Sequence, residues 1–242
     1  VILLLMKGVL ICGGTGSRLA PLTDITNKSL LPVYNKPLIH YPLQILLDAG
    51  IKDIIIISGT EHIDQIAEYL GSGSKFGCTF TFKVQEKAGG IAQALGLAAD
   101  EFDDGESVCA ILGDNIYFDD LSAHIQSFNG GGHVFLKEVD DPNRFGIAEL
   151  SDGKVVSVEE KPSEPKSNLA ITGCYIYDNR CFEIIKNMKP SARGEFEITD
   201  VTDWYLQHGE LTATTLKEDW IDAGTFESLF LAASKVRDQN NS

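Results

Sequence analysis

Four short apolar runs in the first half of the chain alternate with stretches long enough for amphipathic helices. The runs cover Gly8 to Cys12, Asp53 to Ser58, Thr79 to Val84 and Ser107 to Leu112. The stretches between and after them cover Leu38 to Ala49, Glu61 to Leu70, Ile91 to Ala99 and Leu121 to Phe128. Apolar residues throughout a run, as in Ile54-Ile55-Ile56-Ile57, suit a parallel strand covered on both faces of its sheet. The alternation therefore predicts a doubly wound α/β core.

The pattern changes after the glycine triplet at residues 130–132. Short strand-like segments follow at His133 to Val139, Phe145 to Leu150, Lys154 to Glu159 and Ala170 to Tyr177. Turn signals such as Asp152-Gly153 separate them, which indicates antiparallel strands. Helices are predicted to return at Arg180 to Asn187, Ile198 to His208 and Phe226 to Asp238. We therefore expect a mixed, mostly parallel sheet with an inserted antiparallel lobe.

No internal repeat or low-complexity linker divides the 242 residues, so we expect a single domain. Its core is predicted in residues 1–130. The lobe and the return to the core are predicted in residues 131–225, and a C-terminal helix and tail in residues 226–242.

The charge balance excludes several classes of partner. Thirty-five acidic residues against 20 basic ones give a net charge of −15, which disfavours nucleic acid and anionic membranes as partners.

Five cysteines form no Cys-x-x-Cys pair, which is typical of reduced, buried thiols. The opening apolar run lacks a basic segment before it and is interrupted by Lys7, so we expect no targeting segment. These features predict a cytoplasmic protein.

A glycine-rich segment, Gly13-Gly14-Thr15-Gly16-Ser17-Arg18-Leu19, follows the first apolar run directly. Glycines let the backbone approach a ligand, and successive free N–H groups form a concave site for phosphate oxygens. Leu19 stands where a dinucleotide fingerprint has its third glycine, and the Gly-Lys-Ser/Thr ending of a Walker A loop is absent. The segment predicts a phosphate loop of another type, with a purely structural turn as the alternative.

Two cations accompany this loop in an otherwise acidic protein. Arg18 lies within it and Lys28 follows ten residues later. Both could hold a triphosphate and its departing pyrophosphate. Taken alone, Lys28 would be interpreted as a solvated surface lysine.

Two aspartates are candidate metal ligands. Asp114 follows the apolar strand that ends at Leu112, at the edge where open α/β sheets bind ligands. Asp222 lies in another short apolar segment. Together they could hold Mg²⁺, which takes one or two carboxylates and completes its shell with substrate oxygens and water. A simple turn at Asp114 is the alternative.

Other catalytic motifs are missing from the sequence. The five histidines show no His-x-x-x-His or His-x-x-Glu-His spacing, so a zinc site is not predicted. There is also no Gly-x-Ser-x-Gly elbow, which removes the usual signature of a serine hydrolase.

Seven blocks, in one order along almost the whole chain, carry a family resemblance. They lie at residues 13–23, 28–37, 85–94, 112–115, 159–168, 193–200 and 219–225. Together they resemble the sugar-phosphate nucleotidyltransferases, most closely the members that use dTTP and glucose 1-phosphate. The resemblance implies a Rossmann-like core, a sugar-binding lobe, a Mg²⁺ cofactor and a homo-oligomer. It also implies that the sugar phosphate attacks the α-phosphorus of dTTP, giving dTDP-glucose and pyrophosphate.

The resemblance assigns roles to individual positions. Catalytic roles fall on Arg18, Lys28, Asp114, Lys161 and Asp222, with the two aspartates as metal ligands. Nucleotide contacts fall on Gly13, Gly14, Gly16, Gln85, Gly90 and Asp114, where Gln85 reads the base and Gly90 gives its ring room. Sugar-phosphate contacts fall on Asn115, Gly146, Glu160, Lys161 and Tyr175. Thr172 and Trp220 are assigned to packing. Outside this context, Glu160 and Lys161 would be interpreted as a surface charge pair.

Three other functions stay open at this point. A uridylyltransferase acting on the same sugar differs by one methyl group of the base, which a pocket distinguishes by only ~1–3 kcal/mol. A non-catalytic nucleotide-sugar-binding paralogue should have lost Asp114, Asp222 or Lys161, yet all three are present. An NAD-dependent dehydrogenase is disfavoured by Leu19.

Overall fold

A computed structural model of the protein describes residues 5–241. The expectation about the opening apolar run concerns residues that lie mostly outside this range. Thirteen strands are described: β1 Met6–Cys12, β2 Pro32–Val33, β3 Lys36–Pro37, β4 Asp53–Gly59, β5 Thr79–Gln85, β6 Ser107–Leu112, β7 Asn115–Tyr117, β8 Gly132–Glu138, β9 Gly146–Ser151, β10 Lys154–Glu160, β11 Leu169–Tyr177, β12 Leu211–Thr215 and β13 Trp220–Asp222. Seven α-helices accompany them: α1 His40–Asp48, α2 Ile63–Leu70, α3 Ile91–Gly96, α4 Ser122–Gln126, α5 Arg180–Asn187, α6 Ile198–Gln207 and α7 Phe226–Asn240.

The parallel part of the main sheet follows from the apolar runs of the first half. The strand order β6-β1-β4-β5 is parallel throughout. Successive side chains of a strand face opposite sides of a sheet, so Leu10 and Ile56 pack with α1, α2 and α4, whereas Val9 and Ile55 pack with α3, α5 and α6. Apolar residues on both faces therefore require helices on both faces, and the predicted doubly wound α/β core is confirmed.

The strands of the second half extend the same sheet. β11 pairs antiparallel with β6, β8 and β9, and β9 pairs antiparallel with β10, which gives one mixed sheet of nine described strands. The antiparallel lobe is thus a continuation of the core sheet. β12, which the sequence did not predict, runs parallel to β8. Its Leu-Thr-Ala-Thr-Thr sequence is too polar to stand out as an apolar run.

A short antiparallel ribbon of β7 and β13 lies beside the main sheet and was also not predicted. Its inner residues Ile116 and Ile221 pack with Val33, Ala232 and Val236, so α7 covers the ribbon. α7 begins at a capping box in which Thr225 and Ser228 exchange hydrogen bonds. α7 therefore holds the ribbon in place, and the ribbon carries Asn115 and Asp222 of the site.

Two further properties bear on the expectations. Among the helices of residues 5–241, none is long and apolar enough to cross a lipid bilayer. All five cysteines carry free thiols, and four of them are buried. Burial raises the pKa of the Cys12 thiol to about 12, with a smaller contribution from the nearby charge of Asp114, so this thiol is unreactive at neutral pH.

Candidate active site

A cavity of about 580 Å³ opens at the carboxyl ends of β1 and β6. Its wall brings together predicted residues from eight separate parts of the chain. These are Gly13, Gly14, Arg18, Lys28, Gln85, Gly90, Asp114, Asn115, Gly146, Glu160, Lys161, Tyr175 and Asp222. A smaller cavity of about 150 Å³ adjoins it and shares Gly14, Lys28 and Gln85. The position at the end of the parallel strands is the one expected for an open α/β sheet.

The glycine loop shapes one side of this cavity. A Cβ on Gly13 would lie 2.9 Å from Gln85 Oε1, so a larger residue would displace the amide. Gly14 has a φ of +87°, a conformation that favours glycine. Gly16 does not line the cavity. It turns the chain into a short 3₁₀ helix, and its carbonyl accepts a hydrogen bond from Thr23 Oγ1 at 2.9 Å.

The β7–β13 ribbon brings Asp114 and Asp222 together although they are far apart in the sequence. Asn115 pairs with Asp222 across the ribbon. The backbone N–H of Ala223 donates to the carbonyl of Asp114 at 2.9 Å. Both carboxylates therefore face the same cavity from adjacent, hydrogen-bonded backbone segments.

Asp114 is 6% exposed and has two close donors. Lys28 Nζ forms an ion pair with its Oδ2, and Asn115 Nδ2 donates to its Oδ1 at 2.9 Å. Burial opposes ionisation of this carboxyl, but the charge and hydrogen bond of Lys28 outweigh it and lower the pKa of Asp114. Burial likewise opposes the charged form of Lys28, and Asp114 reverses this and raises the pKa of Lys28. The two groups form a buried, charged pair.

Asp222 has weaker compensation. Its carboxylate forms an ion pair with Arg144, whose Nη2 lies 3.7 Å from Oδ2. Burial and the negative charge of Asp114 together raise the pKa of Asp222 to about 6, although Lys28, Arg18 and Arg144 act against this. Asp222 is thus less well compensated than Asp114, because it is buried next to another carboxylate and its ion-pair contact is longer.

This donor set fits a magnesium ion. Across residues 5–241, no three His, Cys, Asp or Glu side chains converge as a metal site, so a cation here would have two carboxylates at most. Mg²⁺ takes one or two carboxylates together with phosphate oxygens and water, whereas structural zinc takes four protein ligands. Two buried carboxylates that line one cavity, one of them without a close cation, suit such a ligand set.

The opposite wall carries a network of acids around Arg193. Its guanidinium donates to both carboxylate oxygens of Glu197 at 2.9 Å and to Glu160 Oε1 at 3.2 Å. Glu160 also accepts a hydrogen bond from the hydroxyl of Thr199. Lys161, which is 41% exposed, has Nζ 3.6 Å from Glu160 Oε1. Glu160 is therefore held in place by two donors, whereas Lys161 is free to reach a ligand.

Four residues in or next to the cavity were given no role from the sequence, or were given a different role. Arg144 and Glu197 line the cavity, and Arg193 supports its wall through hydrogen bonds to Glu197 and Glu160. Arg144 and Arg193 are basic residues in an acidic chain, which was the available signal. Trp220, assigned to packing, also lines the cavity, and its indole N–H donates to Asn115 Oδ1 at 2.7 Å. Thr172 is fully buried, and no partner for its hydroxyl is found among residues 5–241, which agrees with packing.

Comparison with known proteins places this chain in a family. The Nucleotidyl transferase family profile matches residues 7–239. The chain belongs to this family. This nucleotidyl transferase is 44% identical over 98% of its length to a glucose-1-phosphate thymidylyltransferase of Neisseria meningitidis, covering 84% of that protein. It is 42% identical over 96% of its length to the enzyme of the same name from Mycolicibacterium smegmatis, covering 82% of it.

Solved structures give the same result for the fold. A Bacillus anthracis crystal structure, assigned as a glucose-1-phosphate thymidylyltransferase in complex with a sucrose, superposes with a TM-score of 0.92. It is 50% identical, and the match covers 96% of both chains. A UDP-glucose pyrophosphorylase complexed with UDP-glucose superposes with a TM-score of 0.85 at 23% identity, covering 97% of this nucleotidyl transferase and 99% of that chain. The predicted family and fold are confirmed, and the second likeness concerns the fold alone.

Proposed function

We propose that the protein transfers the thymidylyl group of dTTP to glucose 1-phosphate, producing dTDP-glucose and pyrophosphate. The observation that carries the proposal is the single cavity in which a glycine loop, two aspartates and the Glu160–Lys161 pair face one another. Relatives with 41–44% identity over nearly the whole chain bear the name of this activity. An NAD-dependent dehydrogenase has no support in either observation.

The reaction joins two anions, so charge neutralisation and alignment are the main tasks of the protein. A phosphate oxygen of the sugar forms a bond to the α-phosphorus of dTTP. The bond from that phosphorus to the bridging β-phosphate oxygen breaks, and pyrophosphate leaves with the electron pair. No protein nucleophile and no obligatory proton transfer are needed.

The residues divide this work between the two walls. Arg18, Lys28 and the N–H groups of Gly13 and Gly14 would bind the triphosphate and stabilise the leaving pyrophosphate. Lys28 would exchange its contact with Asp114 for one with phosphate when the nucleotide enters. Asp114 and Asp222 would hold Mg²⁺, which supplies further neutralisation of phosphate charge.

The second wall would hold the attacking substrate. Lys161 would neutralise its phosphate, and Glu160 would accept hydrogen bonds from sugar hydroxyls. Asn115, Gly146 and Tyr175 would border the sugar, while Gln85 and Gly90 would border the base. A Cβ at Gly146 would lie 2.8 Å from Thr199 Oγ1 and 3.2 Å from Glu160 Oε2, so only glycine leaves this part of the wall undisturbed.

The proposal is tested by pyrophosphate release. We expect release with dTTP, glucose 1-phosphate and Mg²⁺ together, and background release when the sugar phosphate or Mg²⁺ is omitted. UTP in place of dTTP measures the discrimination of one methyl group. Background release from the complete mixture would contradict the proposed activity. A cytoplasmic location and a homo-oligomeric state stay predictions, which fractionation and light scattering would check.

A further inference from the structure

A chain of hydrogen bonds leads from the cavity wall to one metal-binding candidate. Trp220 Nε1 donates to Asn115 Oδ1 at 2.7 Å, and Asn115 Nδ2 donates to Asp114 Oδ1 at 2.9 Å. The backbone N–H of Gly173 also donates to Asn115 Oδ1, at 3.2 Å. Asn115 is 2% exposed, so its amide has no bulk water to replace a missing partner.

The indole N–H, together with the backbone N–H of Gly173, sets which way the amide of Asn115 points. An amide oxygen only accepts hydrogen bonds, and an amide nitrogen only donates them. Two donors, from Trp220 and Gly173, face one end of this amide, so its oxygen must occupy that end. The nitrogen is consequently directed at the carboxylate of Asp114. A reversed amide would place N–H groups against N–H groups and its oxygen against a carboxylate oxygen, and a buried mismatch of this kind is costly.

The orientation of Asn115 in turn fixes the carboxylate of Asp114. Its Nδ2 engages Oδ1, whereas Oδ2 faces Lys28. The plane of the carboxylate is therefore set by a neutral donor on one side, which leaves Oδ2 for exchange between Lys28 and a bound cation. Supporting hydrogen bonds that orient a ligand in this way typically change metal affinity about 10–100-fold when they are removed.

Trp220 is itself well positioned for this task. It lies on β13, opposite Tyr117 of the ribbon, and two residues before Asp222. The ring of Phe145 packs against it edge to face, with the ring centroids 5.3 Å apart. The indole is thus held by packing while its one polar atom is directed at Asn115.

We propose that Trp220 is a positioning residue that acts through Asn115 to set the orientation of the Asp114 carboxylate for the divalent cation. The inference rests on the proposed function, because that function supplies the cation and the nucleotide. It assigns to the indole N–H a role that a merely apolar wall residue would not have.

The test compares dTTP affinity with and without Mg²⁺, measured by calorimetry in the absence of glucose 1-phosphate. The ratio of the two dissociation constants is the gain due to the metal. In Trp220→Phe, which keeps an aromatic ring and loses the N–H, we expect this gain to fall about tenfold. The dTTP affinity measured in EDTA should stay within about twofold of the wild type, because the hydrogen-bond chain from Trp220 through Asn115 to Asp114, here called the relay, acts on the metal ligand.

A double-mutant cycle separates the relay from packing. Once Asn115→Ala has removed the middle of the chain, Trp220→Phe should cause no further loss of the gain. Tyr117→Phe is the matched control: it removes one buried hydroxyl from the residue opposite Trp220, and Tyr117 does not belong to the hydrogen-bond chain from Trp220 to Asp114. This control should keep the wild-type gain. If Trp220→Phe folds poorly, Trp220→benzothienylalanine deletes only the N–H from a ring of the same shape.

Each outcome decides the matter. The inference is overturned if Trp220→Phe keeps the wild-type gain in dTTP affinity from Mg²⁺. It is also overturned if Trp220→Phe lowers this gain equally in the wild type and in Asn115→Ala. Failure of the proposed function looks different, because the wild type itself would then gain nothing from Mg²⁺ and form no product, and the relay would fall with it. A loss confined to Mg²⁺-dependent binding and abolished by Asn115→Ala supports the relay.

Discussion

The two aspartates of the cavity occupy adjacent backbone positions but unequal environments. Asp114 is paired with Lys28 and Asn115, and its pKa is lowered. Asp222 has Arg144 at 3.7 Å, and burial beside Asp114 raises its pKa to about 6. The ionised form of Asp114 is therefore stabilised by close donors, whereas the ionised form of Asp222 is buried with only a more distant cation.

Because their environments differ, Asp114 and Asp222 should contribute differently to the stability of the fold and to catalysis. A buried charge with a partner becomes costly when the partner is removed, so Asp114 should contribute to the stability of the fold as well as to catalysis. A buried charge with little compensation destabilises the fold and is retained for another reason. Asp222 should therefore be needed for catalysis alone, and the same substitution at the two sites should separate the two contributions.

The largest effect is expected on catalysis. Asp114→Asn and Asp222→Asn should each lower kcat on the order of a thousandfold, or about 4 kcal/mol, because each removes a charge that holds the cation at the phosphates. Pyrophosphate release at saturating substrates measures this effect. Asp219→Asn is the matched control, because Asp219 is exposed and paired with Lys235 outside the cavity. If Asp222→Asn were as active as this control, a shared cation site would be excluded.

The main sheet could be predicted from the sequence because its signals are local. Runs such as Ser107 to Leu112 are apolar throughout, and the observed β6 has the same bounds. The helix at Arg180–Asn187 was likewise predicted correctly, because its apolar residues recur at helical spacing. Short polar strands such as β12 lack this contrast and were missed.

The site could be predicted only in part. The motifs and the family resemblance together identified thirteen residues that line the cavity. The ribbon that joins Asp114 to Asp222 has strands of three residues each, too short for a periodic pattern. Arg144 contacts Asp222, and Trp220 contacts Asn115. Both contacts join residues that are far apart in the sequence, so no local sequence pattern predicts them. The different pKa values of Asp114 and Asp222 likewise arise from burial and neighbouring charges in the folded chain.

The second effect concerns stability and should differ in sign between the two sites. Asp114→Asn in EDTA should lower the free energy of unfolding by about 3 kcal/mol, because Lys28, with only 16% of its side chain exposed, loses its partner. Urea unfolding measures the change. The double variant Lys28→Met/Asp114→Asn should regain most of the loss, since it leaves no buried charge unpaired. A loss that persists in the double variant would assign the effect to packing.

The smallest effect tests whether the ionised carboxylate of Asp222 lowers the free energy of unfolding. The folded-state pKa of about 6 lies above the unfolded value near 3.8, so the folded protein binds the proton more tightly, and wild-type stability falls as the pH rises through about 6. Asp222→Asn carries no titrating group at this position. In EDTA it should be more stable than the wild type by about 1–3 kcal/mol above pH ~6, with the difference fading toward pH ~4. Urea unfolding of both proteins across this range measures the difference. A variant less stable than the wild type at neutral pH would mean that Arg18 and Arg144 already neutralise Asp222, and the two aspartates would then be alike.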